Sequence, residues 1–305
     1  MALPKRAPVL HRAPASSLMR SLNVARIAPG AVRQVDEGAE MDLELEGKTA
    51  IVTGGSRGIG KAVARQLARE GVQVVIASRG AEALEATAHE LSEETGRRVI
   101  AVPADTTDDE SVRGLVAGAV YELGHVDILV NSAARVSGGG RPPMLEEITH
   151  EAFLDEMNTK VFGYLRCARE VAPLMKAQGW GRIINLSGLA ARSSGSALGS
   201  MRNVSVAALT KNLADELGPH GINVTVVHPG TSRTERTPAM IAAAMERDGV
   251  TAEEAERRMA NNSIRRLVSA EEIADVIAFL ASPRAVAING DAVAVGGGAG
   301  NAIYY

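Results

Sequence analysis

The chain has a single cysteine, Cys167, among 305 residues, which excludes an internal disulfide and a multi-cysteine metal site. Its six histidines are scattered and no His-x-x-x-His pair occurs, so no metal centre is expected. No apolar run is long enough to span a bilayer, so neither a membrane span nor a membrane partner is expected. A net charge of −3 removes the electrostatic case for a nucleic-acid partner. What is present is length enough for one large α/β domain with a generous core, and no linker interrupts it.

Residues 1–40 differ from the rest. Up to Gln34 they hold prolines, serines, alanines and the basic residues Lys5, Arg6, Arg12, Arg20, Arg26 and Arg33, with no acid. Two readings stay open: a disordered leader, including one created by an upstream start site, and an organelle transit peptide. The domain is therefore set at 41–305. The location expected is cytoplasmic, or organellar if residues 1–40 are a transit peptide.

The stretch Lys48 to Gly60 organises the rest of the chain. Ala50 to Val52 form a short apolar, β-branched run suited to a buried strand, and glycines come directly after it. Lys61 to Glu70 then places Val63, Leu67 and Ala68 on one face of a helix, and Gly71 stops it. Gly54, Gly58 and Gly60 allow a sharp turn and close approach to a ligand, while the new helix presents unpaired N–H groups and a positive dipole end. That combination suits a pyrophosphate. The spacing is Gly-x-x-x-Gly-x-Gly, so the strand-loop-helix context carries the reading more than the pattern does.

A second strand at Val72 to Ala77 ends in Ser78-Arg79, and a helix over 81–95 comes next. An acid at the end of this strand would bind adenosine ribose hydroxyls, whereas a basic residue accommodates a 2′-phosphate. Arg79, with Arg57 in the glycine loop, therefore favours NADP(H) over NAD(H).

Further strands are expected at Val99 to Val102, Asp127 to Val130, Arg182 to Leu186, Asn223 to Val227 and Ala292 to Val295. Between them lie a helix opened by a capping box at Thr107 to Glu110, a long helix from about Glu151 to Lys176 containing Pro173, and a helix ended by Gly218-Pro219. Strands alternating with helices predict a single Rossmann-type, doubly wound parallel sheet with helices on both faces. Residues 231–262 break the alternation with two short helical patterns, the second capped at Thr251, where a lid over the strand ends is expected. Ser269 to Glu272 caps one more helix.

With these segments in place, the chain from about Leu45 to Gly298 resembles the short-chain dehydrogenase/reductase family. Thr53-Gly-Gly-Ser-Arg-Gly-Ile-Gly60 is similar to the family's cofactor loop, implying that Gly54, Ser56, Arg57, Gly58, Ile59 and Gly60 contact the cofactor. The resemblance also implies cofactor contacts at Ser78 and Arg79, at Asp105 and Thr106 near adenine, at Asn131 and Ala133, and at Pro229, Gly230, Thr231 and Thr234 beside the nicotinamide. It assigns Asn158 to the helix asparagine of the family's catalytic tetrad, and it implies a homodimer or homotetramer.

The family's Tyr-x-x-x-Lys pair is expected to be missing. Counting back from Leu209-Thr-Lys-Asn-Leu-Ala214 puts the tyrosine position on Gly199 and the lysine position on Asn203, and no tyrosine occurs between Tyr164 and Tyr304. Ser187 follows the fifth strand. The expected activity is an NADP(H)-dependent oxidoreductase acting on a small carbonyl or alcohol through a non-standard centre. In it Asn203 would hold the ribose, and Ser187 or an ordered water the substrate oxygen. Two alternatives stand beside it: a non-redox enzyme on the same fold, and a catalytically silent NADP(H)-binding sensor or scaffold. Tyr164 is read as core, and His228 as a strand-end residue that is structural or faces the nicotinamide.

Overall fold

Ala50, Ile51 and Val52 lie in β1 (Thr49–Thr53), where all five residues are buried because strands flank it on both sides and helices cover both faces. The structure is a computed structural model describing residues 41–134, 141–301 and 303. The leader expected at 1–40 lies outside those residues.

Along the chain α1 (Gly58–Arg69), β2 (Gln73–Ser78), α2 (Ala81–Thr95), β3 (Val99–Pro103), α3 (Asp109–Leu123) and β4 (Ile128–Asn131) come first. They are followed by α4 (His150–Glu156), α5 (Gly163–Gln178), β5 (Gly181–Leu186), α6 (Ala197–Leu217) and β6 (Ile222–Pro229). The last part holds β7 (Ser232–Arg233), α7 (Thr237–Asp248), α8 (Ala252–Met259), β8 (Val268–Ser269), α9 (Ala270–Ala281) and β9 (Ala292–Val295). Seven strands form one parallel sheet in the order β3-β2-β1-β4-β5-β6-β9. The order reverses between β1 and β4, and a ligand crevice opens at the carboxyl ends beside such a reversal.

Alternation along β1 sends its side chains to two cores. Ala50 and Val52 join Val63 and Leu67 of α1, Leu84 of α2 and Ile273 and Ile277 of α9. Ile51 joins Leu115 and Ala119 of α3 and Cys167 and Val171 of α5 on the other face. Each side chain of this size stabilises the fold by about 1.5–3 kcal/mol when buried, so the sheet is held from both sides.

Strand ends shift from the sequence expectation by up to two residues, and three helix boundaries differ as well. Helix α1 begins at Gly58, three residues before Lys61, so the last two glycines of the loop are already helical. The capping residue of α3 is Asp108, whose carboxylate accepts the Ser111 N–H at 2.7 Å, because Thr107 is engaged with the Asp105 carboxylate. The long helix expected from Glu151 is interrupted by a π-helical segment, Met157–Phe162, between α4 and α5, and Pro173 is carried inside α5.

The irregular stretch after β6 forms α7 and α8, and β7 pairs in parallel with β8, fastening its two ends together. Thr251 caps α8 by accepting the Glu254 N–H, and Ser269 with Glu272 forms a reciprocal capping box on α9. Among the described residues, no helix is long and apolar enough to cross a membrane.

Candidate active site

A cleft of about 1350 Å³ runs along the carboxyl ends of the strands. The glycine loop forms one end. Gly54 has φ of +69°, and a Cβ built on it would lie 2.9 Å from the Ser132 carbonyl and the Ala133 nitrogen, so only glycine allows the loops after β1 and β4 to touch. A Cβ on Gly60 would collide with the Gly54 carbonyl oxygen. Thr53 Oγ1 reinforces the junction by accepting N–H bonds from Ser132 at 3.1 Å and Ala133 at 3.3 Å.

Arg57 sits before α1 in extended conformation and makes no side-chain cap. The Gly58 N–H instead donates to the Glu235 carboxylate, at 3.1 and 3.3 Å to its two oxygens. An anion already stands at this helix N-terminus, so the donor set fits the negatively charged group that the loop predicts. Exposed Arg57 and Arg79 line the same end of the cleft. At the end of β3, partial burial works to raise the Asp105 pKa, but the Thr107 N–H and hydroxyl, with Arg79 and Arg166 nearby, hold it below its ordinary value. Asp105 is therefore a fixed carboxylate acceptor.

Seventeen of the nineteen expected site residues line the cleft: Gly54, Ser56, Arg57, Gly58, Ile59, Gly60, Ser78, Arg79, Asp105, Thr106, Ala133, Ser187, Asn203, Pro229, Gly230, Thr231 and Thr234. Asn131 does not. It is fully buried beneath the cleft, donating to Asn185 Oδ1 at 2.9 Å, and Asn185 donates to Thr210 Oγ1 at 3.0 Å, so it ties β4, β5 and α6 together. Asn158 does not line the cleft either. It borders a separate surface depression with Leu154, Phe162 and Arg166, because residues two apart on a helix face different ways.

On that segment Thr159 lines the cleft, and so does Lys160. It is 5% exposed, and its Nζ donates to the Ser187 carbonyl oxygen at 2.9 Å and to Asn203 Oδ1 at 3.0 Å. Ser187 Oγ donates to the Asn203 carbonyl oxygen at 2.9 Å, which closes a triangle from the π segment, the end of β5 and α6. Burial, with the Arg202 cation nearby and partly offset by Glu156, lowers the Lys160 pKa to about 7. Arg202 itself is paired with Glu156.

Sequence reasoning missed Lys160 because a lysine among Asn158, Thr159 and Val161 reads as a solvated charge. Its placement four residues before Tyr164, on the face that Tyr164 buries, was the one signal pointing inward.

Other candidate proton carriers are engaged. Tyr164 is core, as expected: its hydroxyl donates to the Leu186 carbonyl at 2.9 Å and burial raises its pKa. Burial pushes the Cys167 thiol up to about 12. His228 is buried, its Nδ1 accepts the Gly188 N–H at 3.4 Å, and burial together with the Arg192 cation lowers its pKa to about 4. Gly199 lies in the first turn of α6, where its N–H bonds the capping Ser196 hydroxyl at 3.1 Å, and it does not line the cleft. Among the described residues no cluster of His, Cys, Asp and Glu could hold a metal.

A family model described as enoyl-(acyl carrier protein) reductase matches residues 54–300. The short-chain reductase protein NovJ of Streptomyces niveus is 34% identical over 251 residues, 82% of this chain and 92% of that protein. The NADPH-dependent reductase BacG of Bacillus subtilis is 31% identical over 255 residues, covering 82% and 97%. Among solved structures, L-sorbose reductase from Gluconobacter frateurii, complexed with NADPH and L-sorbose, superposes with a TM-score of 0.79 at 30% identity, covering 85% of this chain and 98% of that one. The chain belongs to the short-chain dehydrogenase/reductase family and is an oxidoreductase.

Proposed function

We propose that this protein is an NADP(H)-dependent reductase of a small carbonyl compound, working without the family's Tyr-x-x-x-Lys pair. The observation that carries the cofactor choice is the cleft end where Arg57 and Arg79 flank Ser78, with no carboxylate at the end of β2 to take ribose hydroxyls. The NADPH named for BacG and for the L-sorbose reductase complex supports the same choice.

The α1 N-terminus and the glycine loop would hold the pyrophosphate, with Glu235 leaving the Gly58 N–H, and Arg57 and Arg79 would hold the 2′-phosphate. Asp105 and Thr106 would lie beside the adenine. Ala133 and Pro229 to Thr231 would flank the nicotinamide, and the Asn203 amide, whose Oδ1 is taken by Lys160, would keep its N–H donors for the ribose. When bound, NADPH supplies a hydride from C4 of its nicotinamide. The chain then has to orient the carbonyl, exclude water and deliver one proton to its oxygen. Met240, Met259 and Ala260 from the lid supply an adaptable apolar wall for the substrate. A cytoplasmic location and assembly as a homodimer or homotetramer belong to the same reading.

Calorimetric titration of the full chain with NADPH and with NADH tests it. Micromolar NADPH binding with much weaker NADH binding, followed by NADPH oxidation with a carbonyl compound, is the expected result. Binding without hydride loss from any carbonyl would favour a silent sensor, and binding of neither nucleotide would overturn the cofactor assignment.

A further inference from the structure

The reduction needs a proton at the substrate oxygen, and the described groups around the triangle of Lys160, Ser187 and Asn203 narrow the source. Ser187 Oγ already donates to a carbonyl, as does the Tyr164 hydroxyl. His228 is held neutral in the ordinary range of pH, and a guanidinium is too weak an acid to serve as the donor. Lys160 differs from all of these. Its two partners are neutral oxygens, and the one carboxylate near it, Glu156, is paired with Arg202. An ammonium buried without its own carboxylate costs stability, and such groups cluster where chemistry requires them. It also projects from a π-helical segment, an uncommon element frequent at functional sites.

We propose that Lys160 is the proton donor of this centre, a catalytic residue whose ammonium stands in for the missing tyrosine and lysine together. The inference rests on the reductase reading. Two of the three N–H groups of Nζ are held by Ser187 O and Asn203 Oδ1, which leaves the third for the substrate oxygen. As the carbonyl carbon accepts the hydride from C4 of NADPH, the C=O π pair moves to oxygen, and that oxygen takes the proton from Nζ. The products are the alcohol, NADP⁺ and a neutral amine, which regains its proton from water before the next turnover. The transfer is feasible because burial and Arg202 already weaken the hold of Nζ on its proton, so the ammonium is a far better acid than a lysine in water. Among the described residues the charged and titratable groups coupled to Nζ are Arg202 from α6, Glu156 from α4 and His228 from β6, the last also acted on by Arg192.

The test uses the full chain with diacetyl and ethyl acetoacetate as carbonyl probes, following NADPH oxidation from about pH 5.5 to about 9.5, and compares wild type with Lys160→Met and Lys160→Arg. Wild type should hold a level kcat at low pH and fall about tenfold per pH unit above about 7. Lys160→Met should lose about 10²- to 10⁴-fold in kcat while binding NADPH nearly as wild type does, and the alkaline fall should vanish. Lys160→Arg, which restores charge but cannot donate near neutrality, should stay as slow as Lys160→Met; a purely structural cation would be rescued by it. Turnover that survives Lys160→Met, or an alkaline fall that persists in it, overturns this proposal alone. If Lys160→Met does not fold, a fast Lys160→Arg or a wild-type rate that does not fall above pH 7 overturns it. Wild-type protein that binds NADPH and oxidises it with neither probe overturns the reductase reading, and this proposal with it.

Discussion

The two ends of the cleft are built differently. The β1-β2 end is shaped by backbone: Gly54 and Gly60 let main chains approach, Gly58 offers an N–H, and exposed Arg57 and Arg79 stand at the rim. The β5-α6 end is shaped by side chains: the buried Lys160 and Asn203 and the half-buried Ser187 form a triangle in which each side chain bonds another or its carbonyl. The backbone end, which the proposed reading gives to the cofactor, tolerates little change, because a Cβ on Gly54 or Gly60 would meet main chain.

The largest effect should come from breaking the backbone end. Gly60→Val puts a branched side chain onto the Gly54 carbonyl, and overpacking of this kind costs about 1–3 kcal/mol even where the chain can shift. NADPH affinity should fall by at least about 100-fold, measured by calorimetry, with a lower melting temperature. An unchanged affinity would mean that the loop is not the cofactor site.

Next in size is the choice between nucleotides. Arg57→Ala with Arg79→Asp removes two charge-assisted partners worth about 1.5–3 kcal/mol each, so NADPH binding should weaken by about 10²-fold or more while NADH binding changes little. Equal losses for both nucleotides would break the assignment of these arginines to the 2′-phosphate.

A smaller effect sharpens the contrast between the ends. Asn203→Lys reproduces the residue expected from the family at that position, yet it would set a second ammonium against Lys160 Nζ, now 3.0 Å from Asn203 Oδ1. The single variant should melt several degrees lower than wild type, and the exchange Lys160→Asn with Asn203→Lys should recover much of the loss. If the single variant is as stable as wild type, the triangle is not as tightly coupled as its distances indicate. By the same contact, introducing the tyrosine and lysine together as Gly199→Tyr and Asn203→Lys leaves Lys160 in conflict, and a Cβ at Gly199 would stand 2.8 Å from Ser196 Oγ.

The mildest effect concerns His228. Its folded pKa near 4 lies below the ordinary 6.5, so between those values the unfolded chain binds more protons than the folded one. Stability is then fully present above about pH 6.5 and declines as the pH falls toward 4. His228→Gln should flatten that decline in a series of urea melts; an unaltered slope would show that carboxylates alone set the acid limit.

Several features are legible in the amino-acid order alone. The run Ala50 to Val52 and the caps at Thr251 and Ser269 are local patterns, and the folded chain uses them as expected, whereas Gly58 and Gly60 of the glycine loop already belong to α1. The stretch of α7 and α8 between β6 and α9 announces itself by breaking the alternation. The misplaced residues are those whose direction depends on neighbours far away in sequence. Asn131 carries a binding motif's residue type, but the Asn185 and Thr210 side chains draw it into the interior. Asn158 rests on a one-dimensional match, and the π segment turns it away from the cleft.

By itself, then, the sequence determined the alternating strands and helices, the doubly wound sheet and the glycine loop, because side-chain period and glycine backbone freedom act within a few residues. Only the tertiary structure decided that Lys160 enters the cleft. Its partners Ser187 and Asn203 lie 27 and 43 residues away, and contact over that separation exists only once the sheet and both its helical layers have closed around the strand ends.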